Sequence, residues 1–274
     1  MKTTKFFGIL AIVLATMSTT ALVQAQTASA PYGEVSFIKV NPGMGESFIA
    51  ANKIMKKLNN SQKKAKVISS WQLYKRVYPL HGSLDFNYAT FTVFPGGKEM
   101  QAVKDLSIWD SAVKELTAKE HLASIGTLPT IRTTVEKDLY VYKMGAGAGG
   151  SSKAGEYVLL SRIKVNTGSM DAYEKTLEML KPVMEEAIKA GKLKSWNVWK
   201  RMIATNIDGV SHFTIGFIFN NMEDALAYSS GKVDTIAEFK KAHPKEDYTA
   251  FRAKQVSLRE VVSQEMWELL DITD

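Results

Sequence analysis

The chain contains no cysteine. That absence excludes disulfides, thiolate metal sites and a lipid anchor carried on cysteine. Histidine is almost as scarce: His81, His121, His212 and His243 are all there are, and no two stand at a metal-ligating spacing such as H-x-x-x-H. No metal site is expected. After the N-terminal stretch, charged residues interrupt every apolar run, so no later segment reaches the roughly 20 apolar residues that a membrane helix needs. There is no G-x-S-x-G, no Walker loop and no dinucleotide fingerprint. Gly145 to Gly150 is glycine-rich, but it follows a strand and leads to no helix, so it reads as a linker and not as a phosphate cradle.

What is present begins with a processing signal. Lys2 and Lys5 form a basic start, Phe6 to Met17 is a short apolar run, and Val23-Gln24-Ala25 is a small-residue cleavage site. The mature chain is expected to begin near Gln26 and to be exported, periplasmic or secreted. The formal charge of +7 falls to +5 once Lys2 and Lys5 are removed. The excess is spread over Lys56-Lys57, Lys63-Lys64 and Lys240-Lys241 among acids, the pattern of solvated helix faces. No nucleic-acid partner is expected.

The dominant feature is a stretch carried twice. Ser70-Trp71-Gln72-Leu73-Tyr74-Lys75-Arg76 returns as Ser195-Trp196-Asn197-Val198-Trp199-Lys200-Arg201, at an offset of 125 in every position. Aligned without a gap, Lys39 to Phe94 and Lys164 to Phe219 share 12 of 56 residues. Asn41-Pro42-Gly43 and Asn166-Thr167-Gly168 coincide, as do Glu46 and Asp171, acids at helix starts where the dipole favours them. Arg132 corresponds to Arg259 at an offset of 127, which places a net two-residue insertion between the third and fourth strands of the second copy. An internal duplication follows.

Each copy reads strand, helix, strand, strand, helix, strand. In the first copy the strands are Glu34 to Val40, Val67 to Tyr78, Asp85 to Phe94 and Asp138 to Lys143. Their alternation of apolar residues is that of half-buried strands. Phe48, Ala51, Met55 and Leu58 form the stripe of the first helix. Met100, Val103, Leu106, Trp109, Val113 and Leu116 mark a second helical region. In the second copy the strands are Glu156 to Val165, Lys192 to Ala204, Val210 to Asn220 and Glu265 to Leu270. Met170, Tyr173, Leu177, Leu180, Met184 and Ile188 form the helical stripe. The expected domains are a signal at 1–25, a first repeat at 26–143, a linker at 144–154 and a second repeat at 155–274.

This order is the split βαβ, or ferredoxin-like, arrangement. The third strands are apolar on both faces, so one face needs a second sheet. The chain therefore resembles the dimeric α/β-barrel superfamily, in which two ferredoxin-like units join their sheets. The resemblance implies an α+β fold in which two tandem βαββαβ repeats make an intrachain pseudo-dimeric barrel. It also implies a monomer of that kind or a higher oligomer.

Alternate residues of a strand share a face. Tyr74 and Arg76 therefore share one side of the second strand, as do Trp199 and Arg201 in the second copy. Such a pair suits a planar or anionic ligand, since the guanidinium offers a fork of donors and the ring offers stacking. The same residues suit an ion pair and packing at a sheet end. Asn87 and His212 correspond at the start of the third strand and are either part of a site or a strand entrance. Trp71 and Trp196 read as core. The candidate ligand-binding residues are Tyr74, Arg76, Asn87, Trp199, Arg201 and His212, and the ligand is a small organic molecule, aromatic or anionic, held between sheet and helices. The resemblance implies an alternative, a cofactor-independent monooxygenase, and a weaker one, a haem-binding protein. An envelope scaffold is equally a weaker alternative. No cofactor is called for by any motif, and no catalytic set is identifiable.

Overall fold

The computed structural model describes residues 30–81, 85–103, 110, 113–114, 116–117, 120, 128–147, 152–204 and 211–274. The expected signal, most of the second helical region, the turn at Gly82-Ser83 and His121 lie outside them. The strands are β1 (Tyr32–Val40), β2 (Ser70–His81), β3 (Tyr88–Phe94), β4 (Arg132–Gly147), β5 (Tyr157–Val165), β6 (Ser195–Ala204), β7 (Phe213–Phe219) and β8 (Arg259–Ile272). The helices are α1 (Gly45–Lys64), α2 (Gly97–Ala102), α3 (Met170–Lys189), α4 (Met222–Ser229), α5 (Ile236–Ala242) and α6 (Tyr248–Ser257). No described helix is long and apolar enough to cross a membrane.

All eight strands close into one antiparallel barrel in the order β1-β3-β2-β8-β5-β7-β6-β4. Strands of the first half occupy one side, in the order β4-β1-β3-β2, and those of the second half the other. Two seams join the halves, β2 with β8 and β4 with β6. Registers agree between the halves: Tyr32 stands opposite Phe94 and Tyr157 opposite Phe219, while Ser70 faces Val93 and Ser195 faces Ile218. A register shift follows Phe37 in β1 and Arg162 in β5, again 125 residues apart. Gly43 and Gly168 turn the chain from strand to helix at φ of 78° and 76°, a region that suits glycine because it has no Cβ.

The helices cover the outside. Phe48, Ala51 and Leu58 of α1 pack on Ile38, Trp71, Leu73 and Tyr88. Tyr173, Leu177, Val183 and Met184 of α3 pack on Leu159, Ile163, Trp196, Val198 and Phe213. Trp71 and Trp196 are 4 % and 1 % exposed, so both tryptophans of the repeated stretch are core beneath the helices. A separate cluster of Phe37, Phe86, Ala89, Val158, Ile218 and Trp267 fills the lumen.

The glycine-rich stretch behaves differently from the expectation of a linker beginning at residue 144. Met144 to Gly147 continues β4 and pairs with β6, Met144 facing Val198 and Gly147 facing Ser195. The reason is space. A Cβ on Gly145 would collide with the Tyr142 hydroxyl and lie 2.7 Å from the Trp196 carbonyl, so glycine is what lets the backbone approach β6. The last strands of both halves are also longer than their apolar alternation suggests, since β4 and β8 each begin at an arginine, Arg132 and Arg259.

In the second half, Asn221 caps α4 by accepting from the Asp224 N–H at 2.9 Å, and Asp247 caps α6 by accepting from Ala250 N–H at 2.6 Å.

Candidate ligand-binding site

Tyr74, Arg76, Trp199 and Arg201 face the lumen, on the opposite side of the sheet from the helices. Contacts between strands that are not neighbours establish this. Arg162 of β5 donates to Glu136 of β4 through Nη1 at 3.2 Å, and its guanidinium lies 4.2 Å above the Phe37 ring of β1. Arg201 Nη2 donates to Glu136 Oε1 and to Asp138 Oδ1, both at 2.6 Å. Arg76 lies over the Phe86 ring at 5.1 Å. Glu265, opposite Arg162 Nε at 3.5 Å, also accepts from Trp267 Nε1 at 3.0 Å and from Ser263 Oγ at 2.7 Å.

Three arginines thus face Glu136, Asp138 and Glu265 inside the barrel. The side chains of Arg162, Arg201 and these acids are at most 9 % exposed. Buried charges persist only when paired and hydrogen-bonded. Burial pushes the Asp138 carboxyl above its usual range, with Glu136 adding to the shift and Arg201 opposing it. Burial also raises the Tyr140 phenol, which donates to Asp138 Oδ2 at 2.9 Å.

Nearer one mouth of the barrel, the Trp199 ring meets Phe91 at 5.1 Å and Tyr142 at 5.2 Å, both edge-on. The Tyr74 hydroxyl donates to Gln72 Oε1 at 2.7 Å, and burial raises its pKa. The four lumen residues are therefore engaged with one another's surroundings and not with the cleft under the helices.

Asn87 and His212 take equivalent places elsewhere. Val40 N–H donates to Asn87 Oδ1 at 2.9 Å, and Val165 N–H donates to His212 Nδ1 at 2.8 Å. A ring nitrogen stands where the other half has an amide oxygen, and each continues a strand ladder past its bulge. Burial lowers the His212 pKa, with Lys164 and Lys200 adding to the effect. Backbone bonds join Asn87 with Arg76 and His212 with Arg201: Arg76 N–H donates to Asn87 O and Arg201 N–H to His212 O.

A different set of groups lies on the helix side, at the corner where β5 ends, α3 begins and α6 runs into β8. Asn166 holds the corner by donating to the Ser257 carbonyl at 2.8 Å. Val165, bonded to His212, stands opposite Arg259. Tyr173, in the first turn of α3, is fully buried against Phe213 at 5.6 Å. Its hydroxyl has no hydrogen-bond partner, and neither has Arg259 Nε. Burial pushes the Tyr173 phenol up to about 12, with Arg259 and then Arg252 opposing. The Arg259 guanidinium is lowered by burial and feels Arg252 as a like charge. Arg252 bonds to Gln255, and among the described residues no carboxylate forms an ion pair with Arg252 or Arg259.

No motif or spacing in the chain marks this corner. By spacing, Tyr173 is one more stripe residue and Arg259 the counterpart of Arg132. The signal is a hydroxyl that changes place: Phe48 and Tyr88 in the first half become Tyr173 and Phe213 in the second. A tyrosine at a core position of a helix, where the other half has phenylalanine, marks a polar group without an obvious partner.

No family model matches the sequence, and no curated protein matches it. Solved structures are similar across nearly the whole chain. An anthrone oxidase-like protein is 12 % identical, with a TM-score of 0.51 over 89 % of this chain and 92 % of that one. A candidate monooxygenase from Fusobacterium nucleatum is 10 % identical, with a TM-score of 0.52 over 90 % and 95 %. A haem-binding protein from Thermus thermophilus is 12 % identical, with a TM-score of 0.48 over 88 % and 92 %. At these identities the likeness is one of fold, and the eight-stranded antiparallel barrel with its outer helices is consistent with a dimeric α/β barrel.

Proposed function

We propose that this is an exported protein, built by tandem duplication of a ferredoxin-like unit, that binds a small organic ligand on the helix side of its second half. One observation carries the proposal: the Tyr173 hydroxyl is completely buried with no partner, in the field of Arg259 and Arg252, with which no carboxylate among the described residues forms an ion pair. A buried hydroxyl or guanidinium without a partner is costly, on the order of 1–3 kcal/mol per group, and a bound ligand would remove that cost. The matched registers of the two halves support the duplication. The basic start, apolar run and Val23-Gln24-Ala25 support export.

Haem does not fit this cleft. Tyr173, Leu177, Met184, Trp196, Phe213, Phe239 and Phe251 fill it at 6 % exposure or less, leaving no slot for a tetrapyrrole. The two histidines described there are committed, His212 to Val165 N–H and His243 Nε2 to the Met179 carbonyl at 2.8 Å.

A second reading, oxygenation of an aromatic substrate without a cofactor, draws on the oxidase- and monooxygenase-like structures, whose TM-scores are 0.51 and 0.52. It predicts oxygen uptake with phenolic or quinol substrates, and the absence of uptake across a broad panel counts against it.

The test of the binding reading is native mass spectrometry of the chain beginning at residue 26, purified from an exporting host. An added organic mass that is lost on denaturation supports it. A bare polypeptide mass, together with no stabilisation by any member of a small-molecule panel, rejects it.

A further inference from the structure

The two buried groups at this corner without a partner, the Tyr173 hydroxyl and Arg259 Nε, can both donate, and the exposed Arg252 guanidinium, bonded to Gln255, adds further N–H donors on the solvent side. Inside the lumen, Glu136, Asp138 and Glu265 each lie against an arginine. Here Arg259 feels Arg252 as a like charge, and among the described residues no carboxylate pairs with either, an arrangement that repulsion disfavours. What such a corner lacks is an acceptor that donates nothing and carries negative charge. Arg252 is exposed, Arg259 is half-buried behind it and Tyr173 lies deepest, so the donors are graded from solvent into the core.

We propose that the corner binds a small oxyanion group, a carboxylate or a phosphate, clamped between Arg252 and Arg259 with the Tyr173 hydroxyl as an additional donor. This rests on the binding reading given above and specifies the charged end of the ligand. Planar two-oxygen acceptors match the guanidinium fork, which makes the arginines the recognition elements and Tyr173 the group that sets depth.

The experiment is thermal unfolding of the mature chain titrated separately with benzoate and with inorganic phosphate, each against sodium chloride at equal ionic strength. Expected is a saturable rise in Tm with at least one oxyanion beyond the chloride control, since a ligand that binds only the folded state stabilises it by mass action. Arg252→Ala and Arg259→Met should abolish that rise, and Tyr173→Phe should weaken the affinity by about tenfold, the equivalent of one lost hydrogen bond to a charged group. A larger response to benzoate identifies an organic carboxylate, and a larger response to phosphate a phosphoryl group. The proposal is overturned if the rise is absent, or is the same in wild type and in Arg252→Ala. Because Arg252 is exposed, that variant decides the matter even if Arg259→Met does not fold. Native mass spectrometry separates the two levels. A retained ligand that survives Arg252→Ala leaves the binding reading intact and removes the oxyanion clamp; no retained ligand and no Tm response removes both.

Discussion

Arg162 of β5 and Glu136 of β4 meet inside the barrel at 3.2 Å, although their strands share no hydrogen bond. Their equivalents in the other half are Phe37 and Ser263. So a cation and an anion replace a phenyl ring and a hydroxyl, and the substitution is balanced in charge. Removing one partner takes a charge out of a buried network in which Glu136 also holds Arg201 and Arg162 also faces Glu265, at a cost of about 3–5 kcal/mol. Arg162→Phe alone is therefore expected to be strongly destabilising, and Arg162→Phe with Glu136→Ser distinctly less so than the two single effects added together. Urea denaturation of the three variants measures the coupling. Additive losses would show that the two residues act independently.

The Asp138 carboxyl is raised by burial and by Glu136. Its folded-state pKa lies above the unfolded value, so the folded chain holds this proton more tightly. That favours folding at acid pH, and the benefit is lost as pH rises from the unfolded carboxylate range through the folded pKa. Asp138→Asn is expected to gain on wild type across that window and to level off above it. Unfolding free energies of both proteins, measured across the acid-to-neutral range, give the sign. A slope in the other direction would mean that the attraction of Arg201 outweighs the burial.

Tyr173→Phe places at this position the residue that the first half carries at Phe48. With no ligand present it deletes a buried, unpartnered hydroxyl, and a gain of about 1 kcal/mol is expected. The Tm of the ligand-free variant should exceed that of wild type. A clear loss of stability would point to a partner for the hydroxyl, such as a buried water.

His212 accepts from Val165 N–H where Asn87 accepts from Val40 N–H. His212→Asn should preserve the bond and the stability, whereas His212→Ala leaves the Val165 amide without its partner and should cost about 1–3 kcal/mol. Equal losses in both variants would show that the imidazole matters for its volume, not for its acceptor nitrogen.

Trp196 is 1 % exposed beneath α3. Trp196→Ala is expected to cost about 3–5 kcal/mol. Trp71→Ala, at 4 % exposure, should behave similarly, and a large asymmetry between the two would reveal which half limits stability.

Much of this architecture is legible in the residues. The offset of 125 predicts elements that the barrel repeats in register, and alternation separates Trp71 from Tyr74 and Arg76 correctly. What alternation cannot supply is which face meets the helices. In a closed barrel both faces are buried, so each looks apolar and aromatic, and local pattern carries no label for inside. The expected cleft between sheet and helices is therefore not where Tyr74, Arg76, Trp199 and Arg201 stand; they lie in the lumen. Tyr173 and Arg259 are hidden for another reason. Their significance is the absence of a partner, which depends on α6 and β8 meeting α3 at one corner, and no spacing in the chain encodes that meeting.

The two seams have a consequence for the chain as a folding object. β2 and β4 find their outer neighbours only in β8 and β6, so a half made on its own would present two bare strand edges, each a template for adhesion. The second half of a neighbouring molecule offers the same edges as the chain's own. Refolding at high concentration should therefore yield exchanged dimers in which each barrel is completed by the other chain. Cutting the connection near Gly155 should leave the two fragments bound to each other.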